Sequence, residues 1–353
     1  MEQFIGCDAH KKFSVFVAIS DRGEYGSATR VGHEREVFRS YLKQLPPGSQ
    51  IALETSGFYY WMVDEMEQAG HVPRLAHART AKRRMEGRHK TNARDAQGLA
   101  MLLRNGTLPQ VWIPSAEMRD ERELLRWRMC LSRMRARVKN RIHGALLRYN
   151  VDVAVSDLFG DQGRAELLSR LDELPRYSRA SVLDQLQLVD SLETEIAERE
   201  AEIKEMLYPR VERDLLDTLP CVGPVLSAVL ALKLGDVRRF PGPAWLASYA
   251  GLVPAARESA DWKKQDGCPR DCNVYLKWAY VEAANLIAAH RKQWPERHAV
   301  RLYERVRNKT RMHGKAAMAV ARHLAEASWH MLSKLTVYQE PRPRRPALSS
   351  THG

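Results

Sequence analysis

The first third of the chain alternates short apolar runs with helical stretches, and this order restricts its fold more than any other feature. Strands are predicted at residues 4–7, 13–19, 24–31, 51–53 and 72–75, and helices at residues 34–45 and 59–69. Three strands followed by alternating strands and helices are the order expected of a ribonuclease H-like α/β sheet.

A long basic helix is predicted at residues 116–149, where arginines recur beside a helical stripe of leucine, isoleucine and methionine. The whole chain has 56 Lys and Arg against 43 Asp and Glu, a formal net charge of +13. Such an excess is typical of proteins that bind nucleic acid, although some soluble proteins are merely basic. The sequence therefore favours a polyanionic partner.

Cysteine spacing, the lengths of the apolar runs and the N-terminal residues together indicate a cellular location. The five cysteines are scattered, which argues against a disulfide framework and for a reducing compartment. No run of about 18 apolar residues predicts a membrane span, and the N-terminus does not resemble a secretion signal. These features predict a cytoplasmic protein with no membrane partner.

The remainder of the chain is predicted to be mostly helical. Apolar residues at three-, four- and seven-residue steps within residues 182–207 predict a coiled-coil-like arm, with an ordinary amphipathic helix as the alternative. We expect four segments: a ribonuclease H-like domain at 1–150, the arm at 151–208, a helical domain at 209–336 and a disordered basic tail at 337–353.

Two acidic residues stand where predicted strands end. Asp8 follows the first apolar run and Glu54 the fourth. A carboxylate at the end of a buried strand is costly unless it binds something, and neighbouring strand ends meet at one edge of a sheet. Each alone is also consistent with a simple strand-end carboxylate.

A further pair of oxygen donors, Asn92 and Asp95, lies three residues apart and so on one face of a predicted helix. Joined to Asp8 and Glu54, they would supply the oxygen ligands that Mg²⁺ (or Mn²⁺) prefers, and such ions suit phosphoryl transfer. The alternative is that Asn92 merely caps its helix.

Two features of the second half suggest contact with DNA. The turn at residues 219–224 resembles a helix-hairpin-helix turn, where Gly223 would let backbone amides approach a phosphate. Ser259 lies in a basic, polar loop at residues 255–271 and is a candidate nucleophile, although solvated loop serines are common. The residues predicted to bind nucleic acid are Arg84, Arg88, Lys90, Arg126, Arg133, Arg137, Arg141, Gly223, Lys263, Lys264 and Lys277.

An ordered set of motifs resembles the DEDD transposases of bacterial insertion sequences of the IS110 and IS1111 group. The matching stretches are residues 6–11, 54–59, 90–96, 219–223, 246–254 and 273–285. The resemblance implies a RuvC-like domain with an acidic tetrad at Asp8, Glu54, Asn92 and Asp95. It also implies a helical transposase domain with a nucleophilic serine at Ser259.

The resemblance also implies a mechanism and partners. Metal-assisted attack by the serine on DNA would form a transient phosphoserine, followed by strand exchange. A structured bridge RNA would pair with element-end and target DNA. Homodimers would assemble into tetramers, in which the serine meets another subunit's acidic site. The expected location is the bacterial cytoplasm, in association with the nucleoid.

This chain departs from the family pattern at two places. Asn92 stands where aspartate is usual, and Ala260 follows the serine where glycine is usual. Two alternatives therefore stay open: a RuvC-like structure-selective nuclease that uses metal-activated water, and an RNA- and DNA-binding relative that is catalytically silent because of Asn92.

Overall fold

The chain divides into two compact units, Met1–Arg119 and Asp120–Gly353. The structure, a computed structural model, describes residues 3–85, 91–254, 256–259, 262–265 and 271–341. Each unit is treated on its own below.

A mixed β-sheet forms the centre of the first unit. Its elements, in chain order, are β1 (Gln3–Ala9), β2 (Phe13–Ser20), β3 (Thr29–Gly32), α1 (Arg35–Leu42), β4 (Gln50–Glu54), α2 (Tyr59–Gln68), β5 (Val72–Ala76), α3 (Ala78–Arg84), α4 (Asn92–Arg104) and β6 (Gln110–Val111). The strand order is β3-β2-β1-β4-β5-β6. β1 runs parallel to β4 and antiparallel to β2, and β4 runs parallel to β5.

The sheet buries one face against α1 and α2. Ile5, Cys7 and Leu53 point to this side, where they pack with Phe38 of α1 and Met62 of α2. Because successive residues of a strand point to opposite faces, the intervening residues of β1 and β4 face the other side. That other side is covered by α4.

Close approach between β1 and α4 depends on Gly6. A Cβ atom on Gly6 would overlap the carbonyl oxygen of Ala96 and lie 2.7 Å from the backbone nitrogen of Ala100. The helix therefore rests directly on the strand, and only glycine leaves room for its backbone.

We expect Gly6→Ala to lower the free energy of unfolding by about 3 kcal/mol, because α4 must move away from the sheet. The matched control is Gly144→Ala, where the added Cβ meets nothing within 4 Å. Gly144 lies inside a helix, so this control should gain up to about 1 kcal/mol. Urea denaturation of the two variants measures the difference, and equal stability would contradict the proposed packing.

The second unit is mainly helical. Its elements are α5 (Ala116–Arg148), which begins in the first unit, α6 (Asp161–Ser169), α7 (Arg176–Met206), α8 (Val211–Asp217), α9 (Pro224–Leu234), α10 (Pro243–Tyr249), β7 (Ala256–Ser259), β8 (Trp262–Gln265), α11 (Val274–Ala289), α12 (His298–Thr310) and α13 (His313–Lys334), with short 3-10 helices at Leu171–Glu173 and Val237–Arg239.

Helices α5 and α7 pack side by side in opposite directions. Leu131 of α5 is buried with Leu192 and Ile196 of α7. Ion pairs follow the same seam: Lys139 Nζ lies 2.8 Å from Glu193 Oε1, and Arg128 Nε donates to Glu200 at 3.0 Å. The predicted helix is present and is longer than expected, whereas a coiled-coil geometry is not established.

Three sequence expectations differ from the structure in detail. The third strand has four residues and begins at Thr29, and the sheet gains a short sixth strand, β6, that was not predicted. The stretch predicted as a polar loop contains the hairpin β7–β8, whose register sets Glu258 opposite Lys263. Across the described residues, no helix is long and apolar enough to span a membrane.

Candidate functional site

The carboxyl ends of β1 and β4 bring two carboxylate residues to the same edge of the sheet. Asp8 is the last residue but one of β1, and Glu54 ends β4. The parallel register pairs Cys7 with Leu53, so Asp8 and Glu54 occupy the next positions along adjacent strands. Residues at such positions lie about 5 Å apart across a parallel ladder.

Both carboxylates point to the face that α4 covers. Asp8 follows Gly6 by two residues and Glu54 follows Ala52 by two, so each pair shares a face. Gly6 lies against the backbone of α4. Ala52 is buried with Leu99 and other residues of α4. The acidic residues therefore continue the α4 side of the sheet, beyond the end of its apolar core.

Helix α4 begins at this same edge. Ala96, in its second turn, packs with Phe13 and Val15, which lie beside the carboxyl end of β1. Asp95 immediately precedes Ala96 and is half-buried, whereas Asn92 is exposed. A negative charge in the first turn of a helix is favoured by the helix dipole. Asp8 and Glu54 thus lie at one edge of the sheet, and α4, which carries Asn92 and Asp95 in its first turn, begins near that edge.

Asn92 does not cap its helix. The N-cap is Thr91, whose hydroxyl accepts a hydrogen bond from the backbone nitrogen of Arg94 at 3.3 Å. The alternative that Asn92 merely caps its helix is therefore wrong. Its side chain lies on the exposed first turn, where an amide oxygen is available as a neutral donor.

His10 is a contact of the acidic site that sequence reasoning did not assign. Its Nε2 lies 3.1 Å from Oδ2 of Asp8, whose side chain is 17% exposed. The ring also contacts Phe13, with centroids 4.8 Å apart. An imidazole at this distance restricts the orientations that the Asp8 carboxylate can adopt. The signal was present in the sequence as a histidine two residues after the aspartate.

Cys7 takes no part in the site, although it is adjacent to Asp8. It faces the opposite side of the sheet and is fully buried. Burial raises the pKa of the Cys7 thiol to about 12, so it stays protonated at neutral pH. The thiol therefore supplies no ligand at this edge.

These donors fit a hard divalent cation. Among the described residues, no three His, Cys, Asp or Glu side chains form a ready-made metal cluster. Mg²⁺ does not need one, because it commonly binds one or two carboxylates and completes its shell with waters and substrate phosphates. Two neighbouring strand-end carboxylates, with Asn92 and Asp95 on the adjoining helix, meet that requirement.

Helix α5 has an exposed basic face in the second unit. Arg133, Arg137 and Arg141 are four residues apart and exposed. Within the described residues none of the three has a carboxylate partner. By contrast, Arg126 lies 2.7 Å from Glu123, and Arg128, Arg135 and Lys139 pair with glutamates of α7. The exposed face therefore offers cations to a phosphate backbone.

The other predicted nucleic-acid contacts are dispersed. Arg84 ends α3 and donates to the carbonyl oxygen of Thr107. Arg88 and Lys90 lie outside the described residues. Lys263 and Lys264 lie in β8. Lys277 is half-buried near the start of α11, and its Cδ lies 3.6 Å from where a Cβ of Gly251 would stand.

The glycine turn is formed as predicted between α8 and α9. Gly223 is the N-cap of α9, and the space where its Cβ would stand is open. Cys221 adopts a left-handed conformation with φ of 56°. Ser259 is the last residue of β7, in register with Trp262 of β8. The serine and the acidic edge belong to different units.

Comparison with known proteins gives a consistent result along the chain. The IS110 model of DEDD transposases matches residues 5–151, and the model described as the transposase IS116/IS110/IS902 family matches residues 213–300. The chain is thus an enzyme of the transposase class, which cuts and rejoins DNA.

Relatives that match over most of their own length are also described as transposases. A probable family 20 transposase of Pseudomonas aeruginosa is 24% identical over 87% of this chain and 90% of its own. The transposase of insertion sequence IS1111A from Coxiella burnetii is 23% identical over 96% and 91%, and that of IS1328 from Yersinia enterocolitica is 24% identical over 85% and 88%. The chain belongs to the IS110 family of DEDD transposases.

Proposed function

We propose that this transposase cuts and rejoins DNA at the acidic edge of a ribonuclease H-like sheet. Asp8, Glu54, Asn92 and Asp95 would hold Mg²⁺ or Mn²⁺ there. The observation that supports this most strongly is the parallel register, which sets Asp8 and Glu54 side by side on the face that α4 covers. The families matched by the chain cover both the acidic residues and the C-terminal region.

A bound divalent ion would stabilise negative charge on the reacting phosphate. The protein side of the reaction follows from the residues. Asp8 and Glu54 supply anionic ligands, and His10 restricts the Asp8 carboxylate. Asn92 supplies a neutral oxygen where an aspartate would add a charge, which weakens the attraction for the ion without removing a ligand.

Ser259 is proposed as the nucleophile. Its hydroxyl oxygen forms a bond to phosphorus, the bond from phosphorus to the DNA 3′ oxygen breaks, and the proton of the serine passes to the departing oxygen. The product is a phosphoserine and a free 3′ hydroxyl. Attack by a 3′ hydroxyl on the phosphoserine reverses these steps, restores Ser259 and joins the strands.

The partners we propose are element-end and target DNA together with a structured guide RNA. The exposed face of α5 at Arg133, Arg137 and Arg141 would hold backbone phosphates of either. Dimers that assemble into tetramers would let Ser259 of one subunit act at the acidic site of another. Association with the bacterial nucleoid follows from DNA binding.

Binding is expected to depend steeply on salt, because each phosphate contact releases counterions. Replacing Arg133, Arg137 and Arg141 together by glutamine should reduce the slope of log K against log salt by about 2.7, roughly 0.9 per contact. The control replaces three exposed arginines elsewhere, Arg22, Arg176 and Arg238, and should leave the slope nearly unchanged. Fluorescence anisotropy with a labelled DNA duplex measures both. Equal slopes for the two triple variants would rule out this face.

The function itself is tested in a cell. A plasmid carrying the gene with its native flanking DNA is expected to yield new junctions between the element ends, detected by PCR and sequencing. Sequencing of RNA that co-purifies with the protein is expected to return a transcript from the flanking segment. Absence of junctions despite expression of folded protein would contradict the proposed function. Absence of co-purifying RNA would contradict the proposed guide RNA.

A further inference from the structure

Helix α12 presents a row of positive charges on its exposed face. Arg301, Arg305 and Lys309 are four residues apart, and all three are exposed. Tyr303, on the other side of the helix, is buried. Four residues of an α-helix rise about 6 Å, so the row extends over about 12 Å. Among the described residues, none of the three cations is paired with a carboxylate.

Residues 301–315 contain one acidic residue, Glu304, and it does not neutralise the row. Its Oε1 lies 3.1 Å from Nε of Arg291, which precedes α12 in the chain. Like charges four residues apart on a helix repel each other and lower the stability of the helix. The row on α12 is therefore retained although it costs stability.

The end of α12 departs from local preference in a second way. Arg311, which ends the helix, has φ of 59° and so lies in the left-handed region. Glycine is the usual residue at such a position, because a side chain there is strained. Arg307 Nη1 donates to the carbonyl oxygen of Arg311 at 2.9 Å, which holds this turn, and Arg311 itself is exposed.

The first turn of α13 carries a cation where an acid is preferred. Lys315 is exposed in this turn, which has no acidic residue. The N-cap residue, Met312, makes no side-chain hydrogen bond to the helix. Because the dipole of a helix favours negative charge at its N-terminus, a lysine in this turn is unfavourable.

Each of these three departures costs stability, and each keeps a positive charge exposed. The α12 row ends two residues before Arg311, and α13 begins two residues after it. Local preferences are broken mainly at functional sites, where binding or catalysis offsets the cost. The retained charge therefore indicates an anionic partner. DNA is the polyanion on which enzymes of this class act.

We propose that duplex DNA binds through its phosphate backbone to the α12–α13 basic patch, which consists of Arg301, Arg305, Lys309, Arg311 and Lys315. The inference rests on the proposed function and adds to it a second DNA-binding surface besides α5. The patch begins where the family match over residues 213–300 ends. A row of about 12 Å lies alongside about seven phosphate charges of a duplex. Such contacts position DNA without reading its sequence.

The first test variant removes the charges of the α12 row. It replaces Arg301, Arg305 and Lys309 by glutamine in the full-length protein. Fluorescence anisotropy with a labelled 30-base-pair duplex should show binding at least about tenfold weaker at 0.1 M salt. The slope of log K against log salt should fall by about 2.7, roughly 0.9 per contact. The melting temperature should not fall, because like-charge repulsion is removed.

The matched control also removes three exposed cations from helices of the second unit. It replaces Arg176, Lys204 and Lys334 by glutamine. Lys204 and Lys334 lie in the last turns of their helices, where the helix dipole favours a cation. The control should therefore melt at the same temperature as the wild type or slightly below it. Its DNA affinity and salt slope should stay close to those of the wild type.

The second test variant changes the turn and replaces Arg311 by glycine and Lys315 by glutamine. DNA binding should weaken at least about fivefold, and the salt slope should fall by about 1.8 for two contacts. The melting temperature should rise by about 2 °C, because glycine suits the left-handed position and the helix dipole no longer opposes a lysine. A merely structural role for these residues would not combine higher stability with weaker binding.

The possible results separate the α12–α13 basic patch from the proposed function. If the wild type binds the duplex and both folded patch variants bind it equally, with unchanged salt slopes, the patch is overturned while the proposed function stands. If the wild type does not bind the duplex, the proposed function itself fails. Equal weakening by the control, weaker binding of a labelled RNA hairpin alone, or patch variants that melt well below the wild type would each contradict the patch.

Discussion

Replacing Asp8 by asparagine, or Glu54 by glutamine, should reduce DNA cleavage by at least about a thousandfold. Each change keeps the shape of the side chain and removes the charge of one of the two neighbouring carboxylates that we propose as ligands at the sheet edge. Because Asn92 is already neutral, only Asp95 would remain charged beside the other. Charge stabilisation of the reacting phosphate is commonly the largest single contribution to such a reaction. Cleavage of element-end DNA with Mg²⁺, followed on denaturing gels, measures the loss.

The control for this pair is Glu36→Gln. Glu36 is exposed on α1, on the opposite side of the sheet from α4, and should leave cleavage unchanged. DNA affinity of Asp8→Asn and Glu54→Gln should stay equal or increase slightly, because a negative charge is removed. Cleavage within tenfold of the wild type in both acidic variants would contradict the assignment.

Ser259→Ala should abolish both strand cleavage and the covalent protein–DNA adduct. The hydroxyl is the only group that alanine lacks, so the loss tests the nucleophile directly. We expect a reduction of at least about a thousandfold, with DNA binding preserved. Trapping the adduct on denaturing gels with labelled DNA measures it. Ser248→Ala, at an exposed serine of α10, is the control and should form the adduct normally.

The same variant separates the transposase from a nuclease that uses metal-activated water. Such a nuclease needs no serine, so Ser259→Ala would continue to cut DNA and no adduct would be seen even with the wild type. Retained cleavage would therefore exclude the proposed nucleophile while leaving the acidic site in place. A protein that binds DNA without cutting it would correspond to the catalytically silent alternative.

Much of the first unit could be predicted from the sequence because its strands are apolar and short. Alternating apolar and polar residues at 13–19 predict β2, and Gly70, a residue that commonly follows a helix, predicts the end of α2. Asp8 and Glu54 are conspicuous because each follows a buried strand. That reasoning placed both residues at a sheet edge. The parallel register of β1 and β4 adds that the two strand ends are adjacent, so Asp8 and Glu54 lie side by side.

The parts that escaped prediction depend on contacts distant in sequence. Nothing near Gly6 indicates that Ala96 and Ala100 will lie against it, yet this contact places the first turn of α4 at the acidic edge. The alternative that Asn92 caps α4 is wrong because its neighbour Thr91, an equally suitable capping residue, takes the N-cap position.

The most direct test of the central claim is Mn²⁺ binding by the full-length protein, followed by electron paramagnetic resonance. Asp8 and Glu54 together are proposed to hold the ion, so the wild type should bind Mn²⁺ and the combined Asp8→Asn, Glu54→Gln protein should lose that binding while remaining folded. Identical Mn²⁺ titrations for the two proteins would contradict the account.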